Sequence, residues 1–224
     1  MKIPAILLLS ALSASALLQA SEADVRRLAE SNAMFKEIMD TPDRSVPRDL
    51  LHDAECAVLV PGLKKAGFIV GAKYGRGFAL CRTSKGWSAP VAVRIEGGSV
   101  GFQIGASETD ILLLVMNKRG MDRLLSSQFT LGGEASVAAG PVGRESQAQT
   151  DVTLRAEILS WSRSRGVFAG ISLQGATLRA DSDTDHDLYG RDIARADALN
   201  GLIAAPPPAT ELIATMTRYS GVGK

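Results

Sequence analysis

Lys64-Lys65-Ala66-Gly67-Phe68-Ile69-Val70-Gly71-Ala72-Lys73-Tyr74-Gly75-Arg76-Gly77-Phe78-Ala79-Leu80-Cys81-Arg82 is the stretch on which the fold turns. Its even positions carry Phe68, Val70, Tyr74, Phe78 and Leu80, and its odd positions carry Gly67, Gly71, Gly75, Gly77 and Ala79. A period of two with one bulky and one bare face predicts β structure. A helix would scatter these apolar groups around its circumference and lose about 1 kcal/mol at each interior glycine. Glycines repeated on one face mark the close approach of another backbone or a ligand, or a sharp bend of the sheet. A tightly packed, coiled sheet is the simpler reading, and a ligand groove is its alternative.

Working outward, Cys56 to Val60 reads as an apolar strand ended by Pro61-Gly62. Trp87 to Ile95 reads as another, with Pro90 near its start or on an edge, followed by a turn at Gly97-Gly98. From Ser99 to Ala106 the opening pattern returns, with Val100, Phe102 and Ile104 facing away from Gly101, Gln103 and Gly105. Ile111 to Met116 is apolar on both faces, as in a central strand. Asn117 to Ser127 suggests a short helix weakened by Gly120. Leu131 to Ala139, Asp151 to Trp161 and Gly166 to Gln174 are the last strands, the first two joined by a turn at Gly140-Pro141-Val142-Gly143-Arg144. Helices are expected over Ala23–Met39, over Pro47–Ala54, after Asp187 through Asp192 to Leu199, and from Thr210 to about Tyr219 beyond the spacer Pro206-Pro207-Pro208. About seven strands with helices gathered at the ends predict an α+β domain. Its sheet is mainly antiparallel, glycine-rich and strongly curved, with a partial barrel as its fully curled form.

At 224 residues, 46% hydrophobic and 22% charged, the chain can bury one full core. Twenty-five basic and twenty-four acidic residues leave a formal charge of +1, so no global field draws it to nucleic acid. Met1-Lys2, the apolar run Ile3 to Leu18 and the small residue Ala20 read as a signal peptide cleaved near Ala20. The expected organisation is therefore a leader at 1–20 and a single domain at 21–224, periplasmic or secreted. In such a compartment the two cysteines, Cys56 and Cys81, favour a disulfide tying the first strand to the glycine-rich one, with two buried thiols as the alternative.

Catalytic constellations are thin. There are two histidines, His52 and His186, and no motif sets a nucleophile beside a base, so no enzyme and no cofactor is expected. Asp181, Asp183 and Asp185 open like a calcium loop, but His186 stands where a glycine is needed and Asp192 where a glutamate is. The simpler reading is a solvated loop capping a helix that begins after Asp187, and no metal site is assigned. The basic residues are more informative. Lys64, Lys65, Lys73, Arg76 and Arg82 flank or punctuate the glycine-rich stretch, and Arg163 and Arg165 share a short segment with Ser160, Ser162 and Ser164. Bare backbone beside such groups suits a phosphate headgroup; surface charge or internal pairing with Glu96 and Glu157 is the alternative. The first helix presents an apolar stripe, Val25, Leu28, Phe35, Ile38 and Met39, with Arg26, Arg27 and Lys36 beside it. Such a helix either docks on the domain or lies on a membrane.

The segments Cys56-Ala57-Val58-Leu59-Val60-Pro61, Lys65-Ala66-Gly67-Phe68, Tyr74-Gly75-Arg76-Gly77, Trp87-Ser88-Ala89-Pro90 and Glu96-Gly97-Gly98-Ser99-Val100-Gly101-Phe102-Gln103-Ile104-Gly105 follow one another in a known order. Ala139-Gly140-Pro141-Val142-Gly143-Arg144, the run from Glu157-Ile158-Leu159-Ser160-Trp161 to Gly170, and Leu188-Tyr189-Gly190 continue it. Together, over a core of about 54–190, they resemble a SYLF domain. The resemblance implies lipid binding: eukaryotic members bind phosphoinositides, those of the yeast actin-patch type also bind actin, and bacterial members are exported. An amphipathic N-terminal helix takes part in membrane contact in eukaryotic relatives, and Ala23–Met39 stands where that helix would. The expected partner is a phospholipid membrane with anionic headgroups, met by Arg26, Arg27, Phe35, Lys36, Lys64, Lys65, Lys73, Arg76, Arg163 and Arg165. A cell-envelope structural or protein-interaction module, or an actin-binding effector, is the alternative.

Overall fold

The computed structural model describes residues 21–41, 45–67, 70–100, 105–142, 156–164, 167–168 and 173–221. The expected leader at 1–20, Phe68, the centre of the strand expected at Ser99–Ala106, Gly143-Arg144 and Arg165 lie outside the described residues. Two helices come first, α1 (Glu22–Asp40) and α2 (Arg48–Asp53), then strands β1 (Cys56–Gly67), β2 (Val70–Thr83), β3 (Gly86–Trp87), β4 (Val91–Val100) and β5 (Gly105–Val115). Helix α3 (Lys118–Leu125) precedes β6 (Gln128–Thr130), β7 (Val137–Ala139), β8 (Ile158–Ser164), β9 (Val167–Phe168) and β10 (Thr177–Ala180). Helices α4 (Ser182–Tyr189), α5 (Arg195–Leu199) and α6 (Thr210–Ser220) close the chain.

The strands form one curled half-barrel sheet in the order β6-β10-β4-β2-β1-β5-β8-β7, with β3 on β2 and β9 on β8. The α+β class and the predominantly antiparallel sheet are as expected; the pairing of β7 with β8 is parallel, so the sheet is mixed. Alternation along the central strands fills both faces. On one, Phe78, Leu80, Leu59, Leu112 and Trp161 pack against Leu28, Phe35 and Ile38 of α1 and Leu212 and Met216 of α6. On the other, Val58, Ala79, Val93, Leu113 and Ile158 meet Leu124, Phe129, Leu178 and Leu199. Residues 111–115 of β5 are buried on both faces, as the continuous apolar run required.

The decisive stretch is two strands instead of one. Its first four residues end β1, the part from Val70 onward belongs to β2, and the two pair antiparallel from Gly67↔Gly71 to Cys56↔Cys81, where a disulfide joins the cysteines. Pro61-Gly62 does not end the first strand; it makes a β-bulge inside it, with Gly62 at φ 59°. The bulge pushes β1 backbone onto β2, and this is why β2 is bare there. A Cβ on Gly77 would stand 1.9 Å from the Leu59 carbonyl oxygen, and one on Gly75 would stand 2.8 Å from Val60 Cγ1. The glycine face thus accommodates another backbone, the architectural reading of the pattern.

Four boundaries differ from expectation. Gly97-Gly98 is not a turn but lies within β4, paired with Lys73 and Ala72; a Cβ at Gly97 would come 3.0 Å from Ala176 Cα, so the glycine serves a close crossing. Trp87–Ile95 divides into β3 and β4, because residues 88–90, with Pro90, carry no ladder. Leu131–Ala139 shrinks to the three residues of β7, since Gly132 takes φ 76° in a turn after β6. Strand β10 carries too short a pattern to register in the sequence and is held by pairing with β4 and β6.

Candidate functional site

A groove of about 1350 Å³ opens between α1 and the outer halves of β1, β2, β5 and β8. Helix α1 supplies one wall through Arg27, Glu30, Met34 and Glu37, and the sheet supplies Lys64, Tyr74, Arg76, Glu108, Asp110 and Arg163. Register explains the convergence. Glu108, Lys64, Tyr74 and Glu96 stand directly opposite one another across β5, β1, β2 and β4, and Asp110 stands opposite Arg163. Directly opposed residues share a face, and that face carries α1, because Arg76 is two positions from Phe78 in the α1-facing core.

Among the described residues, all three arginines that line the groove are engaged. Arg163 bridges Glu37 of α1 and Asp110 of β5, the latter at 3.2 Å, while the Gly62 N–H donates to Asp110 at 3.0 Å. Burial works against the Arg163 charge, yet the two carboxylates outweigh it and raise its pKa. Arg27 pairs with Asp24 at the start of α1. Arg76 donates through Nε to Asp181 at 2.6 Å, which raises its own pKa. Burial pushes the Asp181 carboxyl upward, but Arg76, Thr184 and Arg94 together hold it below the usual carboxylate range.

Asp181 also corrects the reading of the acidic run. The run is not a solvated loop before a helix; it is the helix α4 itself, with Asp181 at its N-terminal boundary and Gly190 ending it in the left-handed region. Asp181 and Asp185 are 1% and 3% exposed. Asp185 accepts from the Ala92 N–H at 2.6 Å and from Arg195 at 2.9 Å. Both carboxylates are spent on arginines, and among the described residues no three His, Cys, Asp or Glu side chains gather as metal ligands.

Of the residues expected to meet lipid, Arg27, Lys64, Arg76 and Arg163 line one groove, and Lys65 borders it from the other face of β1, where it stands opposite Lys73. Arg26 and Lys36 are exposed on α1 outside it, Arg26 beside Glu30 at 3.6 Å. Phe35 is not at a surface: it is fully buried and meets the Tyr219 ring edge-on, because the α1 stripe docks on the sheet and α6. Lys73 is buried on the opposite face, in register with Lys65; burial first, and Lys65 second, lower its pKa. The sequence reading missed Tyr74 as an exposed groove residue, and missed Arg94 and Arg179, which stand opposite Arg76 and opposite each other. Their outward parity is visible in the sequence, but only the ladder places them side by side.

A family model described as Ysc84, Las17-binding protein actin regulator, matches residues 96–219. SH3 domain-containing YSC84-like protein 1 of Rattus norvegicus is 32% identical over 203 residues, covering 89% of this chain and 59% of the relative. Its Xenopus laevis counterpart is 35% identical over 182 residues, covering 80% and 54%. LAS seventeen-binding protein 3 of Saccharomyces cerevisiae is 32% identical over 175 residues, covering 75% and 37%. The chain spans less than two thirds of the length of these relatives.

Proposed function

Because the chain belongs to the Ysc84 family, of which the SYLF domain is the signature, we propose that it is a non-catalytic, exported binding module that meets anionic phospholipid headgroups at the rim of the α1 groove. The observation that carries this is the convergence of four basic side chains chosen from the sequence alone, Arg27, Lys64, Arg76 and Arg163, on one open groove, with Lys65 at its border. Their roles differ. Arg27, Arg76 and Arg163 are held by carboxylates and shape the groove. Lys64, exposed at the rim, and Lys65, half-buried at the same edge on the other face of β1, are the headgroup contacts.

Insertion of the α1 stripe is a separate and costly step in this reading. Leu28, Met34, Phe35, Ile38 and Met39 are all buried, and exposing five such side chains costs roughly 10 kcal/mol, comparable with the whole stability of a domain. The membrane must return that cost before α1 leaves the sheet. No helix among the described residues is long and apolar enough to cross a membrane, so contact is peripheral in this reading. A second reading, a protein partner, is favoured by the near-neutral groove, whose acidic Glu30, Glu37, Glu108 and Asp110 offset its cations. The family description, Las17-binding protein actin regulator, and the name of the yeast relative, LAS seventeen-binding protein 3, point the same way.

The test is co-sedimentation of the chain from Ser21 with phosphatidylcholine vesicles and with vesicles containing phosphatidylglycerol. Binding that needs the anionic lipid, weakens with salt and falls in the Lys64→Glu/Lys65→Glu variant is the expected result. No binding to either vesicle would remove the lipid reading and leave the protein partner. Mass spectrometry of the N-terminus after export checks cleavage near Ala20.

A further inference from the structure

Beyond the groove, the α1-bearing face carries a row of arginines. Arg76 of β2, Arg94 of β4 and Arg179 of β10 stand directly opposite one another on three adjacent strands. Their side chains are 33%, 30% and 43% exposed. Like charges placed opposite each other destabilise a sheet, and here three guanidinium groups share two carboxylates. Asp181, beneath the row, meets Arg76 at 2.6 Å and Arg94 at 3.7 Å. Glu96 lies between Arg94 at 2.8 Å and Arg179 at 3.4 Å. One positive charge is left over at the surface. Beside Glu96, in register with it, stands Tyr74, 47% exposed. A cavity of about 480 Å³ lined by Glu96, Thr130, Thr177 and Arg179 continues the surface beyond β4.

We propose that this row, with Tyr74, is a docking surface for an extended acidic segment of a partner protein, separate from headgroup contact at Lys64 and Lys65. Neighbouring strands lie about 4.8 Å apart, so the row spans about 10 Å, and same-side carboxylates of an extended segment recur about every 7 Å. Two such carboxylates therefore reach the row together, each taken by the planar guanidinium fork. Tyrosine and arginine are the side chains that most often dominate protein interfaces. A groove walled by α1 adjoins the Arg76 end of the row and a cavity adjoins its Arg179 end, a relief that suits a polypeptide better than the flat plane of a bilayer. Glu96 is the internal competitor, a carboxylate already occupying the step a partner's carboxylate would take.

That competition supplies the test. A fluorescein-labelled peptide of about ten glutamates, titrated at low salt with the chain from Ser21 and followed by anisotropy, should bind saturably and lose affinity as salt rises. Arg179→Glu and Tyr74→Ala should each weaken binding by about five-fold or more, while Lys64→Glu/Lys65→Glu changes it by less than about two-fold. Glu96→Gln should tighten it several-fold, a gain that a purely structural Glu96 would not give. Circular dichroism confirms folding, and Arg179→Gln replaces Arg179→Glu if the latter unfolds. Absence of saturable binding, or equal binding by the Arg179 and parent chains, would overturn the assignment. So would loss of phosphatidylglycerol-vesicle binding in the Arg179 variant as steep as in the lysine variant, because the row would then be a headgroup surface. Failure of the vesicle experiment with intact peptide binding would remove the lipid reading and leave this one standing.

Discussion

Asp181 and Asp185, one helical turn apart, respond to acid in opposite directions. Asp181 is held by Arg76, Arg94 and Thr184 and its pKa is lowered, so its contribution is present above the ordinary carboxylate range and lost as pH falls through its depressed value. Substitution by alanine leaves Arg76 facing a buried void. The expected loss is about 3 kcal/mol, read as a lower urea midpoint at pH 7 with an unchanged m-value. Burial instead pushes the Asp185 carboxyl up to about 6, against the pull of the Ala92 N–H and Arg195. The folded chain therefore binds a proton that the unfolded chain has released, and this group's contribution falls as pH rises from about 4 to 6 and stays lower above. The change amounts to no more than about 3 kcal/mol. Chemical denaturation at pH 4, 5, 6 and 7 should show that decline in the parent chain relative to Asp185→Asn, where the titrating group is gone.

At the scale of elements, the bulge in β1 and the glycines of β2 are one device. Gly62 turns the strand at φ 59°, and the displaced Leu59 carbonyl then fills the place of a Gly77 side chain. Gly77→Ala forces two backbones apart at the centre of the sheet, and the expected cost is about 3 kcal/mol or more. Gly98 is the matched control, because a Cβ there meets nothing nearer than the Gly71 carbonyl oxygen at 4.0 Å. Gly98→Ala should change stability by less than about 1 kcal/mol. Thermal melts of the two variants decide it; equal losses would mean that the glycines matter for conformational freedom and not for the crossing.

For the whole molecule, α1 is part of the core. Its stripe joins α6 and the sheet, Asn32 donates to Glu211 at 2.8 Å, and Tyr219 donates to Asp40. Deleting residues 21–40 should therefore abolish cooperative unfolding, seen as a lost thermal transition and exposed apolar surface that binds a hydrophobic dye. A deletion that kept a sharp transition would show that α1 is a detachable element, and membrane insertion without general unfolding would become open to it.

The alternation from Lys64 to Arg82, the apolar run at Ile111–Met116 and the stripe of α1 determined by themselves that the chain is α+β, that its sheet is curved, and that another backbone or ligand crosses the bare glycines. Local periodicity and the missing side chains carry that information. The same residues carried the family resemblance and the basic positions that line the groove. Tertiary structure alone decided that the decisive stretch is a bulged hairpin, that Gly97-Gly98 lies inside a strand, and that the acidic run opens helix α4, whose boundary residue Asp181 is anchored by arginines from β2 and β4. Register across strands and burial against distant partners are set by the summed packing of the sheet, and no window of sequence contains both sides of such a contact. For the same reason Arg76, Arg94 and Arg179, far apart in the chain, become a row only when β2, β4 and β10 lie side by side.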